Sequence, residues 1–233
     1  MSANRYAIYL APPRDSDLWR FGSRVLHRDA ATGAALLDFA PPGWTPEAWS
    51  KATADPRRYG FHGTLKAPFR LRDGIGLDDV ATRLETFARS VEPFDLGRLK
   101  LGVFAAGPER GFVALRPSNR VDALVELERR AVIELDDLRA PLSLAERARR
   151  QPDRLSERQR FYLDAYGYPY VLEEFRLHFT LTGAMREANA LADTLALDFR
   201  RETPNPTFRV DAVVLFKQEG DGDFQIERRF PLG

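Results

Sequence analysis

Residues 59–71, YGFHGTLKAPFRL, and residues 174–182, EFRLHFTLT, read as two strands bearing the same tetrad, His-x-Thr-Leu. The copies are His62-Gly63-Thr64-Leu65 and His178-Phe179-Thr180-Leu181. Side chains alternate across a strand, so residues two apart share a face. His62, Thr64 and Lys66 therefore point one way, and Phe61, Gly63 and Leu65 the other. In the second copy Arg176, His178, Thr180 and Thr182 share one face, and Leu177, Phe179 and Leu181 the opposite, apolar one. Each strand thus offers a polar face to a cleft and an apolar face to a core.

Outward from these strands, the chain alternates strands with single helices and hairpins. Residues 5–11 read as a first strand, followed by a helix from the Asp15-Ser16-Asp17 cap to about His27. A short helix begins at Trp44-Thr45-Pro46, where proline suits the first turn. Leu77, Val80, Leu84, Phe87 and Val91 recur at helical spacing and predict an amphipathic helix over 77–91. Strands at 94–105 and 111–116, a helix at 119–135, an arginine-rich insertion at 141–168 and a helix at 186–200 follow. A hairpin of 207–216 with 224–230 closes the chain. The second half reads as a reduced copy of the first. This order predicts an α+β fold with antiparallel or mixed sheets, as one bilobal domain over 1–233 with two lobes around a cleft.

Composition narrows the chemistry. The 233 residues contain no cysteine, which removes disulfides, cysteine nucleophiles and thiolate metal sites. Only three histidines occur, His27, His62 and His178, and two of them carry the tetrad. His27 lacks threonine two residues on and sits at a helix end, so it reads as structural or on the surface. Two isolated histidines make a poor zinc site, so neither metal nor cofactor is expected. A net charge of +1 gives no broad attraction to nucleic acid or anionic membrane. No stretch approaches the ~20 apolar residues of a membrane span, and the N-terminus has no signal-peptide pattern. A cytoplasmic protein is the expectation.

The paired tetrads resemble the signature of the two-histidine (2H) phosphoesterases. RYAIYLAPP at 5–13, DLWRFGSRVLHRDAATG at 17–33, RRYGFHGTLKAPFRL at 57–71 and GYPYVLEEFRLHFTLTG at 167–183 look most like a branch tied to phosphonate metabolism. The resemblance covers essentially the whole chain. It implies a bilobal, pseudo-symmetric, LigT-like fold with two sheets flanked by helices and a phosphate-binding cleft between them. It also implies His62 and His178 as acid and base, with Thr64 and Thr180 on the phosphate.

The residues support that chemistry independently. Opening a phosphodiester needs a base for the nucleophile and an acid for the leaving oxygen, and imidazole, with a pKa of about 6.5, serves as either. Threonine hydroxyls can donate to the non-bridging oxygens. Lys66 and Arg176 lie on the polar faces, as phosphate contacts or as solvated strand residues. Tyr59, Tyr168 and Tyr170 precede the motifs, either to contact substrate or to pack in hairpins. Residues 147–160, with six arginines, form an electropositive lid or an ion-paired helical surface. The leading expectation is a metal-independent phosphodiesterase or cyclic phosphodiesterase acting on a small nucleotide or ribose phosphate. RNA-end processing on short RNA, by cyclic phosphodiester opening or 2′–5′ ligation, is the alternative. A nucleotide sensor with weak catalysis is the third.

Overall fold

In the computed structural model, which describes residues 4–233, every strand joins one antiparallel sheet. The strands are β1 (Arg5–Leu10), β2 (Gly63–Phe69), β3 (Phe94–Ala105), β4 (Gly111–Pro117), β5 (Phe179–Thr180), β6 (Thr207–Val210), β7 (Ala212–Gln218) and β8 (Phe224–Pro231). The helices are α1 (Asp17–Val25), α2 (Pro46–Ala52), α3 (Ala54–Arg57), α4 (Leu77–Arg89), α5 (Asp122–Glu134), α6 (Leu144–Arg149), α7 (Glu157–Tyr166) and α8 (Ala188–Glu202). No helix of the described residues is long and apolar enough to cross a membrane. The spatial order is β6-β3-β4-β5-β2-β1-β7-β8. Four strands lie on each side of the β5–β2 seam, and those two strands carry the tetrads.

The α+β class stands, but the expected two sheets are one. The lobes also do not follow chain order. Residues 207–216 do not run as one strand: the chain breaks at Asp211, β6 joins β3 at one edge, and β7 joins β1 and β8 at the other side. Each half of the sheet therefore draws strands from both halves of the sequence.

Both sheet faces are buried, for different ends. Ile8, Leu10, Leu65, Val113, Leu115, Phe179, Val213 and Leu215 enter the main core. There α4 packs on β7 and β8, α5 on β2, and α8 on β3 and β4. On the opposite face Ala7, Tyr9, Val214, Phe216 and Phe224 form a smaller cluster with Trp19. Two-sided burial explains the unbroken apolar run of β7, since a strand solvated on one face would alternate. The apolar half of the expected split is met: Phe61, Leu65, Leu177, Phe179 and Leu181 all lie in the main core.

Local signals place the supporting helices. Ser16 caps α1 by accepting the Trp19 amide at 3.1 Å, and Thr45 caps α2 with Pro46 in its first turn. Within α1, Gly22 lets the helix lie directly on the Phe61 ring, where a Cβ would come within 2.2 Å. Gly22→Ala gains about 1 kcal/mol of helix propensity, but the overlap must displace Phe61, the neighbour of His62. A net loss of about 2 kcal/mol is expected as a lower urea midpoint. An unchanged or higher midpoint would show that Phe61 yields freely.

Candidate active site

Gly63 pairs with Phe179 across the antiparallel β2–β5 seam. One residue either way, this register sets His62 opposite Thr180 and Thr64 opposite His178. The imidazoles are thus diagonal neighbours, with α-carbons on the order of 7–8 Å apart, which leaves room for a phosphate between the rings. His62, Thr64, His178 and Thr180 all line one cavity of about 350 Å³, within the usual range for a small-ligand site.

The two rings are held alike. His62 Nδ1 lies 2.8 Å from the Gly60 carbonyl, and His178 Nδ1 lies 2.7 Å from the Arg176 carbonyl. A carbonyl only accepts, so both Nδ1 atoms carry the proton and both Nε2 atoms are left free. Both strands are shorter than expected. Tyr59 and Gly60 turn back onto the Pro56 and Arg57 carbonyls, so β2 starts at Gly63, while β5 keeps only Phe179 and Thr180. Tyr9 stacks on His62 with centroids 3.7 Å apart, while Phe104 and Phe112 pack on His178 at 4.9 and 5.4 Å.

Burial dominates the electrostatics. It pushes His62 down to about 4, against the Gly60 carbonyl, and the neighbouring His178 pushes the same way. Burial also lowers His178, opposed by the Arg176 carbonyl. Both rings of the free protein are therefore neutral at pH 7. Upstream of His178, both carboxylate oxygens of the buried Glu128 accept the Leu172 amide, at 3.1 and 3.2 Å. This holds a residue with φ of +56°, where leucine is strained, and so fixes the turn leading to the second motif.

Lys66 is not in the cleft. Tyr9 pairs with Thr64 but Ile8 with Lys66, so Leu65 is an extra residue in a β-bulge. The bulge turns Lys66 to the core side and brings Ala67 and Pro68 to the cavity instead. There Lys66 Nζ donates to the Asp136 carboxylate at 2.8 Å and to the Val132 carbonyl in the last turn of α5 at 3.1 Å. Burial alone would raise Asp136, but Arg139 and Lys66 outweigh it and hold the carboxyl below its usual range. Lys66→Met is expected to cost about 3 kcal/mol of stability, because Asp136 and the Val132 carbonyl lose a buried partner. Turnover per folded molecule is expected to persist; a selective loss of turnover at unchanged stability would restore Lys66 to the site.

The other candidates divide. Tyr59 and Tyr168 line the histidine cavity. Tyr168 also borders an adjoining cavity of about 460 Å³, together with Tyr170, Arg176, Phe104, Phe112 and Phe175. Arg176 is exposed there and donates to the Glu173 and Phe175 carbonyls at 2.9 and 2.6 Å. Thr182 borders the histidine cavity, with its hydroxyl accepting the Val113 amide at 3.0 Å. His27 lies just past α1, buried rather than at the surface, with φ of +60° and its Nε2 2.5 Å from the Phe39 carbonyl.

Sequence reasoning did not single out Arg5, Tyr9, Asp55, Phe112 and Arg150 as site residues, though all line the histidine cavity. Arg5 and Tyr9 share one face of β1, but only the pairing of β1 with β2 brings that face to the motif. Among the insertion arginines, Arg147 pairs with Asp164 at 2.7 Å and Arg160 donates to the Leu155 carbonyl at 2.5 Å. Arg150 instead lies 5.0 Å over the Tyr168 ring. Among the described residues, no three His, Asp or Glu side chains converge as metal ligands.

Comparison with known proteins places this geometry among relatives. Residues 64–225 match the family described as "Protein of unknown function (DUF1045)". The chain is 37% identical over 237 residues to the ribose 1,5-bisphosphate phosphokinase PhnN of Janthinobacterium sp. (strain Marseille), covering 99% of this chain and 51% of that protein. It is 39% identical over 189 residues to the protein of the same name from Laribacter hongkongensis (strain HLHK9), covering 79% and 41%. The chain thus spans about half, or less, of the curated relatives it matches. Among solved structures it is similar to Kluyveromyces marxianus Usb1, with a TM-score of 0.43, 14% identity and 99% of both chains covered.

Proposed function

The chain belongs to the DUF1045 family, and we propose that it is a metal-independent phosphodiesterase that opens a cyclic or other small phosphodiester of a ribose phosphate or nucleotide. One observation carries this reading: two imidazoles, each anchored through Nδ1, stand diagonally across one seam with a threonine opposite each. His62, the ring pushed down to about 4, is the base. Its Nε2 takes a proton from water as the water oxygen bonds to phosphorus. His178, protonated when the anionic diester is bound, gives its Nε2 proton to the leaving oxygen as the phosphorus–oxygen bond breaks. Thr64 and Thr180 donate to the non-bridging oxygens, where charge grows in the transition state. Backbone carbonyls thus set the tautomers, strand register sets the positions, and burial sets the charge of the free rings.

The kinase activity in the relatives' name belongs, on this reading, to the part of those longer proteins outside the match. No lysine of this chain follows a glycine, so it lacks the Gly-Lys step of a phosphate-binding P-loop. A ribose phosphate remains common to both activities, and it suits the place in phosphonate metabolism that the sequence resemblance implies. The aromatic lining of the adjoining cavity favours one second reading, in which the base of a nucleotide or short RNA end stacks there. The test is turnover of ribose cyclic phosphate, 2′,3′-cyclic nucleotides and short RNA ends in excess EDTA. Turnover of at least one small diester is expected; activity only after metal addition would overturn the metal-independent reading.

A further inference from the structure

The cleft holds more cationic and phenolic groups than a single diester needs. Tyr9 is 1% exposed, lines the cavity, and has no hydrogen-bond partner for its hydroxyl among the described residues. Its ring is fixed by His62, by Phe216 at 4.9 Å and by Phe224 at 6.4 Å. Tyr59 stacks on the same Phe224 at 5.3 Å, and the Arg5 guanidinium lies 5.5 Å from that ring. Arg5 Nε donates to the neutral Gln218 side chain at 2.6 Å, which aims the guanidinium without neutralising it. Across the cavity Arg150 lies over Tyr168. Neither Arg5 nor Arg150 has an ion pair among the described residues, although Asp55 also lines the cavity.

These groups face one another. Burial pushes the Tyr9 phenol well up and the Tyr59 and Tyr168 phenols add to it, while Arg5 and Arg150 pull it down. Burial raises the Tyr168 phenol as well, so both stay protonated as donors. Two guanidinium groups and three phenols line the same cavity as His62, where one phosphate between the histidines already has two threonines.

We propose that Arg5, Arg150 and the hydroxyls of Tyr9, Tyr59 and Tyr168 form a second anion subsite, which takes a terminal phosphomonoester of the substrate. The substrate is then a small sugar ester carrying a phosphomonoester besides the diester that is cleaved, a specificity that rests on the two-histidine reading of the same cleft. A phosphomonoester carries nearly two charges at neutral pH, which two arginines match, and its oxygens accept from phenols. A diester, with one charge and two terminal oxygens against three, is already served by the two threonines. Asp55 is left to accept from a sugar hydroxyl. A cavity of about 350 Å³ suits one sugar ring with two phosphates better than an oligonucleotide.

The test compares kcat/KM on a ribose cyclic phosphate with and without a 5-phosphate, for the wild type, Arg5→Met, Arg150→Met and Tyr9→Phe. The phosphorylated compound is expected to be preferred at least about thirtyfold, as charge-assisted hydrogen bonds warrant. That ratio should fall toward unity in either arginine variant and by several-fold in Tyr9→Phe. Because the readout is a ratio, a variant with fewer folded molecules still reports. Turnover with no preference would overturn the subsite and leave the two-histidine reading standing. If neither compound is turned over, direct binding decides. Ribose 5-phosphate bound by the wild type, but not by the arginine variants, would keep the subsite while the diesterase reading fails. Ribose and ribose 5-phosphate bound equally, or not at all, would overturn the subsite.

Discussion

Alanine at His62 or at His178 is expected to lower kcat on a cyclic phosphodiester by about a thousandfold, the scale of a positioned acid or base. The two losses should not add. With one imidazole gone, the nucleophile is activated without a protonated leaving group, or the reverse, and the double variant should be little worse than either single one. KM should change less than kcat, because the threonines and the cationic end of the cleft still hold the ground state. Neither ring packs in the main core, so the denaturation midpoint of His178→Ala should stay close to wild type. His62→Asn provides a second check, since its amide remains near the Gly60 carbonyl and the Tyr9 ring. Either alanine variant keeping more than a tenth of wild-type kcat would remove that histidine from the chemistry.

The pH dependence should lie on the acid side of neutrality for the free protein. His62 is pushed down to about 4, so the base is lost as pH falls through that value. His178 is lowered from its usual 6.5, so the acid is already largely deprotonated above pH 6.5. Thus kcat/KM should rise as pH increases through about 4, peak on the acid side of 6.5, and fall about tenfold per unit above 6.5. A bound phosphodiester places a negative charge between the rings, which favours imidazolium at both. The kcat profile should therefore be displaced to higher pH than kcat/KM, on both limbs. The two limbs are properties of the coupled pair, so His178→Ala should abolish the alkaline limb rather than move it. A profile that is flat from pH 4 to 9 would contradict proton transfer by these rings.

How far the sequence could be read follows from which features are local. The tetrads, their shared faces and the amphipathic α4 depend on periods of two and 3.6 residues, and these survive in the fold. Lys66 was misplaced because one extra residue, Leu65, reverses the alternation, and nothing in LKAPF marks a bulge beyond Pro68. The break at Asp211 between β6 and β7 was hidden for the opposite reason: TFRVDAVVLF has neither glycine nor proline to punctuate it. A single sheet in place of two depends on whether β2 and β5 touch, a pairing between distant segments that no local pattern encodes. Arg5 and Tyr9 reach the site only through the β1–β2 pairing. Arg150 is one of six insertion arginines, and which of them reaches the histidine cavity depends on how the insertion folds back over the sheet.

The central claim is that both imidazoles act on one phosphorus atom in one cleft. A crystal structure with the cyclic vanadate ester of uridine, a five-coordinate mimic of the opening diester, tests it most directly. The account predicts vanadium seated over the β2–β5 seam, with apical oxygens about 3 Å from His62 Nε2 and His178 Nε2 on opposite sides. The Thr64 and Thr180 hydroxyls should touch its equatorial oxygens. Vanadate that contacts one histidine alone, or binds elsewhere while both Nε2 atoms face solvent, would contradict the account.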